Sequence, residues 1–309
     1  MGFFLMPVTA TVYIMNFDPF VDNPRFSHKV TWTSGSCCEQ LTLINAMAIA
    51  GDGRLILADY INVRVLVVPL QGSRQIEATT PRLRNKPLAV CLLPGDRQAA
   101  VTGTQKSLFL IDLPLDLPGG EIRVSNVHTA RQYYGIGVTN HFTSALVACC
   151  HDDEGGPASV DVITKEGVLL KSIVSDSFLK EPYHLCITDK ELFLLDMSER
   201  RIFRVSLGTD SVQLDSLDVA LQKPSHLAVD PAGNVYVAEK NAKSVLVESR
   251  DMQQRHLLTT ASSSHTAVLG PQALCVTGSN LVVSWYGLVS PEPRNEQACV
   301  VMVYDFNPN

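Results

Sequence analysis

The sequence predicts an all-β fold, a six-bladed β-propeller with four antiparallel strands per blade. A short apolar triplet with a small central residue recurs six times, at intervals of 42 to 49 residues. Each copy is followed by further short apolar runs that are separated by turn residues. No segment keeps an apolar period of 3.6 residues over the length of a helix. Units of this length, made only of short strands, are typical of propeller blades.

The triplets mark the first strand of each predicted blade. They are Met47–Ile49, Val90–Leu92, Ile136–Val138, Leu185–Ile187, Leu227–Val229 and Leu274–Val276. The middle residue is always Ala, Gly or Cys, and innermost strands converge on the axis, where a larger side chain would collide. Proline stands three residues before four of the triplets, which favours a strand start because proline is not tolerated inside a central strand.

Second, third and fourth strands follow each triplet with less regularity. Second strands are predicted at 52–59, 190–196, 232–239 and 279–285. Third strands are predicted at 64–70, 107–113, 159–165, 201–207, 244–250 and 301–306. Weaker fourth strands are predicted at 74–79, 122–127, 168–174 and 255–260.

The last unit ends at Phe306 without an outer strand of its own. Because an unpaired sheet edge is a liability, a strand from elsewhere is expected to complete it. The segment Phe26–Trp32 precedes the first unit and alternates like a strand. We therefore expect this N-terminal strand to close the ring, which divides the chain into an extension (1–25) and a propeller (26–309).

The composition indicates a large hydrophobic core, argues against nucleic-acid binding by overall charge, and favours a reducing compartment. Hydrophobic residues make up 46% of the chain and charged residues 18%, enough for a large core. The net charge of −6 argues against overall attraction to nucleic acid. Most of the 8 cysteines lie inside apolar runs, where they behave as small buried residues. This usage favours a reducing compartment, so a cytoplasmic location is expected.

The N-terminal segment 1–17 is apolar but is not predicted to cross a membrane. It lacks a basic beginning, contains Pro7 and is too short for a span. A strand or the start of a fragment is the favoured interpretation, and a signal peptide is the alternative. No membrane association is expected.

Specific residues at the second turn of several units carry a family resemblance. The segment Asp59–Val65 matches the pattern D-x-x-N-x-R-[VI], and Asp196–Ile202 is similar, with Glu199 in place of Asn. The segment Val229–Ala238 reads VDPAGNVYVA, close to V-D-x-x-G-N-x-Y-V-A. These phrases resemble the NHL repeat. The resemblance extends over nearly all of residues 26–306 and is weak in units two, three and six.

The resemblance implies both a structural role and a biological setting. In the repeat, the aspartate and arginine can pair across a tight turn, so the signature marks a fold and not an activity. NHL domains occur at the C-terminus of tripartite-motif (TRIM) ubiquitin ligases, where they resemble docking modules for substrate or RNA. The sequence has no RING-type spacing of cysteine and histidine. The resemblance thus implies the recognition domain of such a ligase.

Candidate binding residues lie where first strands start and where second strands turn into third strands, because propellers usually bind ligands on that face. Aromatic, histidine and lysine side chains there suit a protein or peptide partner. The alternative is that many of them cap loops or pack internally. The candidates are Tyr60, Tyr134, Tyr183, His184, His226, Lys240, Trp285 and Tyr286.

Catalytic and metal sites are not predicted. His184 and His226 occupy equivalent places in their units, but the third equivalent position is Ala273, and a catalytic zinc needs about three protein ligands. The chain has no G-x-S-x-G elbow and no phosphate-binding P-loop. We therefore expect no enzyme activity, no metal and no cofactor.

The expected function is that of a protein- or peptide-binding platform, the substrate-recognition domain of a tripartite-motif-like ubiquitin ligase. Two alternatives stay open. An RNA-binding NHL domain would need a basic patch on one face, and a metal-dependent propeller hydrolase or lyase would need inward-facing ligands. Candidates for the patch are Arg64, Lys86, Lys106, Arg131, Arg200, Lys240 and Lys243.

Overall fold

The computed structural model describes residues 10–16, 25–32, 43–70, 76–113, 122–139, 145–151, 156–175, 179–207, 214–217, 221–250, 255–259, 268–277, 280–288 and 297–305. Within these ranges the regular structure is entirely β. No helix in the described part of the chain is long and apolar enough to cross a lipid bilayer.

The strands of the described ranges are two to nine residues long. In chain order they are β1 (Ala10–Asn16), β2 (Arg25–Trp32), β3 (Ile44–Ile49), β4 (Arg54–Asp59), β5 (Arg64–Pro69), β6 (Ala78–Thr79), β7 (Pro87–Leu92), β8 (Gln98–Gly103), β9 (Ser107–Asp112), β10 (Val124–His128), β11 (Ile136–Val138), β12 (Leu146–Cys150), β13 (Ser159–Ile163), β14 (Leu169–Ser175), β15 (Pro182–Ile187), β16 (Glu191–Asp196), β17 (Arg201–Ser206), β18 (Leu214–Leu217), β19 (Pro224–Val229), β20 (Val235–Glu239), β21 (Ser244–Glu248), β22 (Arg255–Thr259), β23 (Val268–Val276), β24 (Asn280–Leu288) and β25 (Gln297–Asp305).

These strands form a β-propeller of small antiparallel blades. Five sheets have four consecutive strands each, and they begin with β3, β7, β11, β15 and β19. The remaining sheet has five strands in the order β2-β1-β25-β24-β23. First strands of successive sheets contact each other in chain order, and β23 in turn contacts β3.

The five-stranded sheet differs from the predicted closing blade. The segment Phe26–Trp32 lies in β2, and β2 pairs with β1. The strand that pairs with β25 is β1, which runs parallel to it with Ile14 opposite Val303. The prediction that Phe26–Trp32 pairs directly with the last unit is therefore wrong, because β1 occupies the edge of β25. The same sheet also departs from the predicted four strands per blade.

First strands carry an irregularity that recurs around the propeller. In β3, β7, β15, β19 and β23 the two residues on either side of one position pair with consecutive residues of the second strand, so the residue between them is left unpaired. Such a bulge leaves one extra residue outside the ladder and turns the strand locally. The bulge residues are Asn45, Leu88, Tyr183, Ser225 and Gln272. They all lie at the same end of their sheets.

The core lies between neighbouring sheets, where small residues let the first strands approach. A Cβ added to Gly137 would lie 2.9 Å from the Cδ1 atom of Ile187 on the next sheet. Just before β11, a Cβ on Gly135 would lie 2.8 Å from the backbone nitrogen of Leu185 and 2.9 Å from Cα of His184. The small central residues of the triplets thus have the steric reason that the sequence predicts.

The aspartate of the repeat pattern organises the second turn of the first four-stranded sheet. The Oδ2 atom of Asp59 accepts hydrogen bonds from Nδ2 of Asn62 (2.8 Å) and from Nε of Arg64 (3.3 Å). In the β15–β18 sheet, Asp196 instead accepts from the backbone nitrogens of Lys180 (2.8 Å) and Glu181 (3.0 Å). The carboxylate therefore fixes the loop before the first strand as well as the turn after the second.

The β11–β14 sheet holds a different buried charge cluster. The carboxylate of Asp161 accepts from the hydroxyls of Ser159 (2.7 Å), Ser172 (2.6 Å) and Tyr133 (3.1 Å). Arg131, 5% exposed, lies 3.9 Å from Asp161 and also donates to three backbone carbonyl oxygens. Several hydrogen bonds thus compensate the desolvation of both charges.

We predict that Gly135→Ala destabilises the protein by about 2 kcal/mol, because the added Cβ meets backbone atoms of the neighbouring sheet that cannot move independently. Urea unfolding followed by circular dichroism measures the loss. Gly137→Ala is the matched control, since its new Cβ meets the ends of flexible side chains and the loss should be smaller. Equal stability of Gly135→Ala and the parent protein would contradict the close approach.

We predict that Arg200→Gly raises the free energy of unfolding by about 1 kcal/mol, because Arg200 has a φ of 55°, a conformation in which a Cβ is unfavourable. The neighbouring Arg201→Gly serves as control. It also replaces an exposed arginine, but within β17, where glycine should lower stability. The two variants should therefore shift the midpoint of thermal unfolding in opposite directions.

Candidate functional site

The bulge residues build a hydrogen-bonded network at one end of the propeller. The Nε2 atom of Gln272 donates to Oδ1 of Asn45 (3.0 Å), and Nδ2 of Asn45 donates to the carbonyl oxygen of Leu88 (2.9 Å). The side chain of Asn45 also hydrogen-bonds the phenol of Tyr183, which belongs to a sheet that is not its neighbour. The hydroxyl of Ser225 donates to the carbonyl oxygen of Pro271 (3.2 Å). This network holds the bulge side chains in fixed positions.

Aromatic rings gather beside the network. The rings of Tyr134 and His151 are stacked, with centroids 3.6 Å apart and planes inclined by 8°. Tyr183 lies 5.7 Å from the ring of Tyr134 and 6.3 Å from that of His151. Burial raises the pKa of Tyr183, and the hydrogen bond with Asn45 offsets part of this effect. The phenol is therefore neutral at physiological pH.

A cation completes this group. The Nζ atom of Lys86 lies 4.6 Å from the centroid of the Tyr60 ring, within the range of a cation–π contact. Tyr60, Tyr134 and Tyr183 are each partly exposed. We call Tyr60, Tyr134, His151 and Tyr183 the aromatic platform.

The two predicted histidines form a close pair next to the network. The rings of His184 and His226 have centroids 3.4 Å apart. Nδ1 of His226 accepts a hydrogen bond from the backbone nitrogen of Leu274 (3.2 Å). Within the described residues, Nε2 of His226 and Nδ1 of His184 are buried and have no hydrogen-bond partner.

Burial keeps both imidazoles neutral. Desolvation lowers the pKa of His184 to about 3. Desolvation, followed by the charge of His184, also lowers the pKa of His226 far below its usual value. At neutral pH the pair therefore adds hydrogen-bonding groups to the site but no charge.

Lys240 lies beside this pair and next to a second lysine. Its backbone nitrogen donates to the carbonyl oxygen of Lys223 (3.1 Å), which brings the two residues together. Burial, followed by the positive charge of Lys223, lowers the pKa of Lys240. The ammonium group of Lys240 in turn acts on His226. The predicted residues His184, His226 and Lys240 thus form one continuous area.

The remaining two predicted residues lie elsewhere. Trp285 is 0% exposed and packs in the core with Tyr236 and Leu274, so its indole cannot present a surface to a partner, and the expectation that it does so is corrected. The cause is the alternation of side chains along β24, which puts Trp285 on the same face as Leu281 and Val283 in one buried cluster. Tyr286 is partly buried against the apolar cluster around Ile44.

Sequence reasoning missed Asn45, His151 and Gln272. Asn45 and Gln272 stand two residues before their triplets, as Tyr183 does, so the repeat alone would have placed all three at one level. No sequence signal distinguishes His151. Arg131, a candidate for a basic patch, is instead enclosed by the buried charge cluster.

Within the described ranges no three or more His, Cys, Asp and Glu side chains come close enough together to bind a metal ion. The pair formed by His184 and His226 has no third ligand of these types within those ranges.

Comparisons with known proteins identify the fold. No family model matches the sequence, and no curated protein matches it. A chain from the crystal structure of a nidogen/laminin complex superposes with a TM-score of 0.61 and 14% identity, over 82% of this chain and 94% of that chain. Regucalcin, a calcium-binding protein from Agrobacterium tumefaciens, superposes with a TM-score of 0.56 and 14% identity, over 80% and 83%. These structures show a β-propeller.

We predict that acid destabilises the protein through His184. Below pH 6.5 the unfolded chain binds a proton at this residue, whereas the folded protein does not until about pH 3, so stability is lost as the pH falls through this window. The loss amounts to about 1.4 kcal/mol for each pH unit below 6.5. Urea unfolding at pH 7 and at pH 5 measures it.

The variant His184→Gln should lose less stability than the parent protein between these two pH values. His128→Gln, at an exposed position on β10, is the control and should keep the parent's pH dependence. The same slope in all three proteins would show that His184 does not carry the effect.

Proposed function

We propose that this chain is a protein- or peptide-binding platform whose partner docks on the end of the propeller that carries the bulge residues. The observation that supports this most is the aromatic platform, with three partly exposed tyrosines next to fixed hydrogen-bonding side chains. Tyrosine is enriched at binding hot spots because it offers a large contact area and a polar group. Rings that are already held in place lose little entropy when a partner binds.

The site favours docking over chemistry. His184, which is partly exposed, and His226, which is buried, are both neutral, and burial raises the pKa of Cys150 to about 12, which leaves this thiol without thiolate character. We propose that the chain is not an enzyme. The similar propeller described in a nidogen/laminin complex comes from an assembly of two proteins, which supports the same class of function.

We further propose that the propeller is a six-bladed ring of the NHL type, closed by the N-terminal strands. The cyclic order of the first strands and the pairing of β1 with β25 support closure. The contact between Asp59 and Arg64 supports the NHL assignment, because it is the pair that this repeat implies. On this basis we propose that the chain recognises substrates for a tripartite-motif-like ubiquitin ligase in the cytoplasm.

We predict that a photo-crosslinking amino acid at position 60 captures a protein partner in cells, because this ring lies on the docking face. The same amino acid at position 257 is the control, since Leu257 is 63% exposed but lies on the outer strand β22. Mass spectrometry identifies the products. Capture at both positions to the same extent would contradict a specific face.

The identified partner then allows a direct test of affinity. Tyr134→Ala should weaken binding of the purified partner about tenfold, the loss typical of a hot-spot aromatic residue. Leu257→Ala should not change it. If instead single-stranded RNA binds at low salt with a steep salt dependence while no protein is captured, the RNA alternative replaces this proposal.

A further inference from the structure

We propose that Lys223, Lys240 and His226 form a carboxylate-binding subsite on the docking face, which receives an acidic group of the bound protein or peptide. This inference rests on the proposed function and adds the chemistry of the partner. We call these three residues the basic subsite. Three features support it: the orientation of His226, the lysine pair, and the absence of an ion-pair partner for either lysine among the described residues.

The orientation of His226 determines which ring nitrogen carries the proton. Because Nδ1 accepts a hydrogen bond from the backbone nitrogen of Leu274, it cannot itself be protonated in the neutral ring. The proton of the neutral imidazole is therefore on Nε2. This residue is 2% exposed, and its Nε2 has no hydrogen-bond partner among the described residues. An N–H donor buried in this way is costly unless an acceptor arrives.

The lysine pair places positive charge beside this donor. The hydrogen bond between the backbones of Lys240 and Lys223 fixes the two residues opposite each other, just after β20 ends and just before β19 begins. Their ammonium groups repel each other, and that of Lys240 also acts on His226. Within the described ranges neither lysine has an ion-pair partner.

Glu239 precedes Lys240 in the chain but forms no ion pair with it or with Lys223 among the described residues, where its Oε1 atom is buried without a hydrogen-bond partner. Glu239 is buried, and its Oε2 atom accepts from the backbone nitrogens of Gln222 (2.9 Å) and Lys223 (3.3 Å). Its described contacts thus serve the loop before β19. The basic subsite is left with donors from three side chains, two of them charged. A ligand that offers acceptors and a negative charge suits donors of this kind.

A carboxylate fits this set better than a phosphate chain. The subsite contains ammonium groups and an imidazole but no guanidinium, the group whose forked donors suit phosphate best. The whole chain carries a net charge of −6, which disfavours a long polyanion. One acidic side chain or a C-terminal carboxylate matches the positive charge of the subsite.

Binding of short labelled peptides tests the proposal. Fluorescence anisotropy is measured at 20 mM salt with EDTA present, using hexaglutamate with a free C-terminus, hexaglutamate amide and hexaserine with a free C-terminus. We expect at least one of the carboxylate peptides to bind. Binding of hexaglutamate amide identifies side-chain carboxylates as the ligand, and binding of hexaserine identifies the terminal carboxylate. No binding of any of them overturns the proposal.

Substitutions locate the binding. Lys240→Gln and Lys223→Gln should each weaken the peptide that binds about fivefold, as expected when one charged partner of a hydrogen bond is lost. The control is Lys243→Asn, which removes an exposed lysine from the turn that follows β20. Lys243 has a positive φ, a conformation that asparagine tolerates well. Equal affinity of all variants, or stronger and equally lysine-dependent binding of hexauridylate, overturns the proposal.

Nitrogen-15 spectra of the histidine side chains provide a test that does not depend on affinity or on the stability of variants. We expect His226 to be protonated at Nε2 and its Nε2 signal to shift when the peptide binds. Protonation at Nδ1 overturns the proposal. Loss of carboxylate binding with intact crosslinking at position 60 would reject the basic subsite alone, whereas absence of crosslinking with intact peptide binding would reject the docking of a protein.

Discussion

The bulge near the start of the first strands determines what this end of the propeller can do. In a regular ladder Asn45, Tyr183 and Gln272 would each be paired with the second strand of its own sheet. The extra residue takes each of these side chains out of the ladder, and the hydrogen bonds between Gln272, Asn45 and Tyr183 then connect sheets that are distant in the chain. The same geometry places His184 and His226, each one residue further along, against each other.

Much of the fold could be predicted because it depends on local periodicity. The triplets have a small central residue because first strands converge at an axis. At Gly137 an added Cβ would lie within 3.0 Å of side chains on the next sheet. The partner of β25 could not be predicted, because two N-terminal strands alternate equally well and only the three-dimensional position of the edge selects β1. Pattern analysis describes a strand but does not determine which edge it joins.

The site was predictable only where it coincides with the repeat. Tyr183, His184 and His226 occupy repeated positions, and the structure places them together, as it does Lys240. Trp285 was predicted at the turn after a second strand, but β24 continues to Leu288, and its alternation places Trp285 with Leu281 and Val283 on the core face. His151 follows its strand with no repeated feature, so that its stacking on Tyr134 appears only in three dimensions.

The buried cluster around Asp161 has a consequence for how this propeller is related to others by sequence. In the first four-stranded sheet the acid, Asp59, comes before its base, Arg64, along the chain, whereas in the third the base, Arg131, comes before its acid, Asp161. Both arrangements bury a charge pair, so the chain can exchange one for the other without losing the blade. A comparison of sequences will not recognise the blade with the reversed order of acid and base, whereas a comparison of structures will.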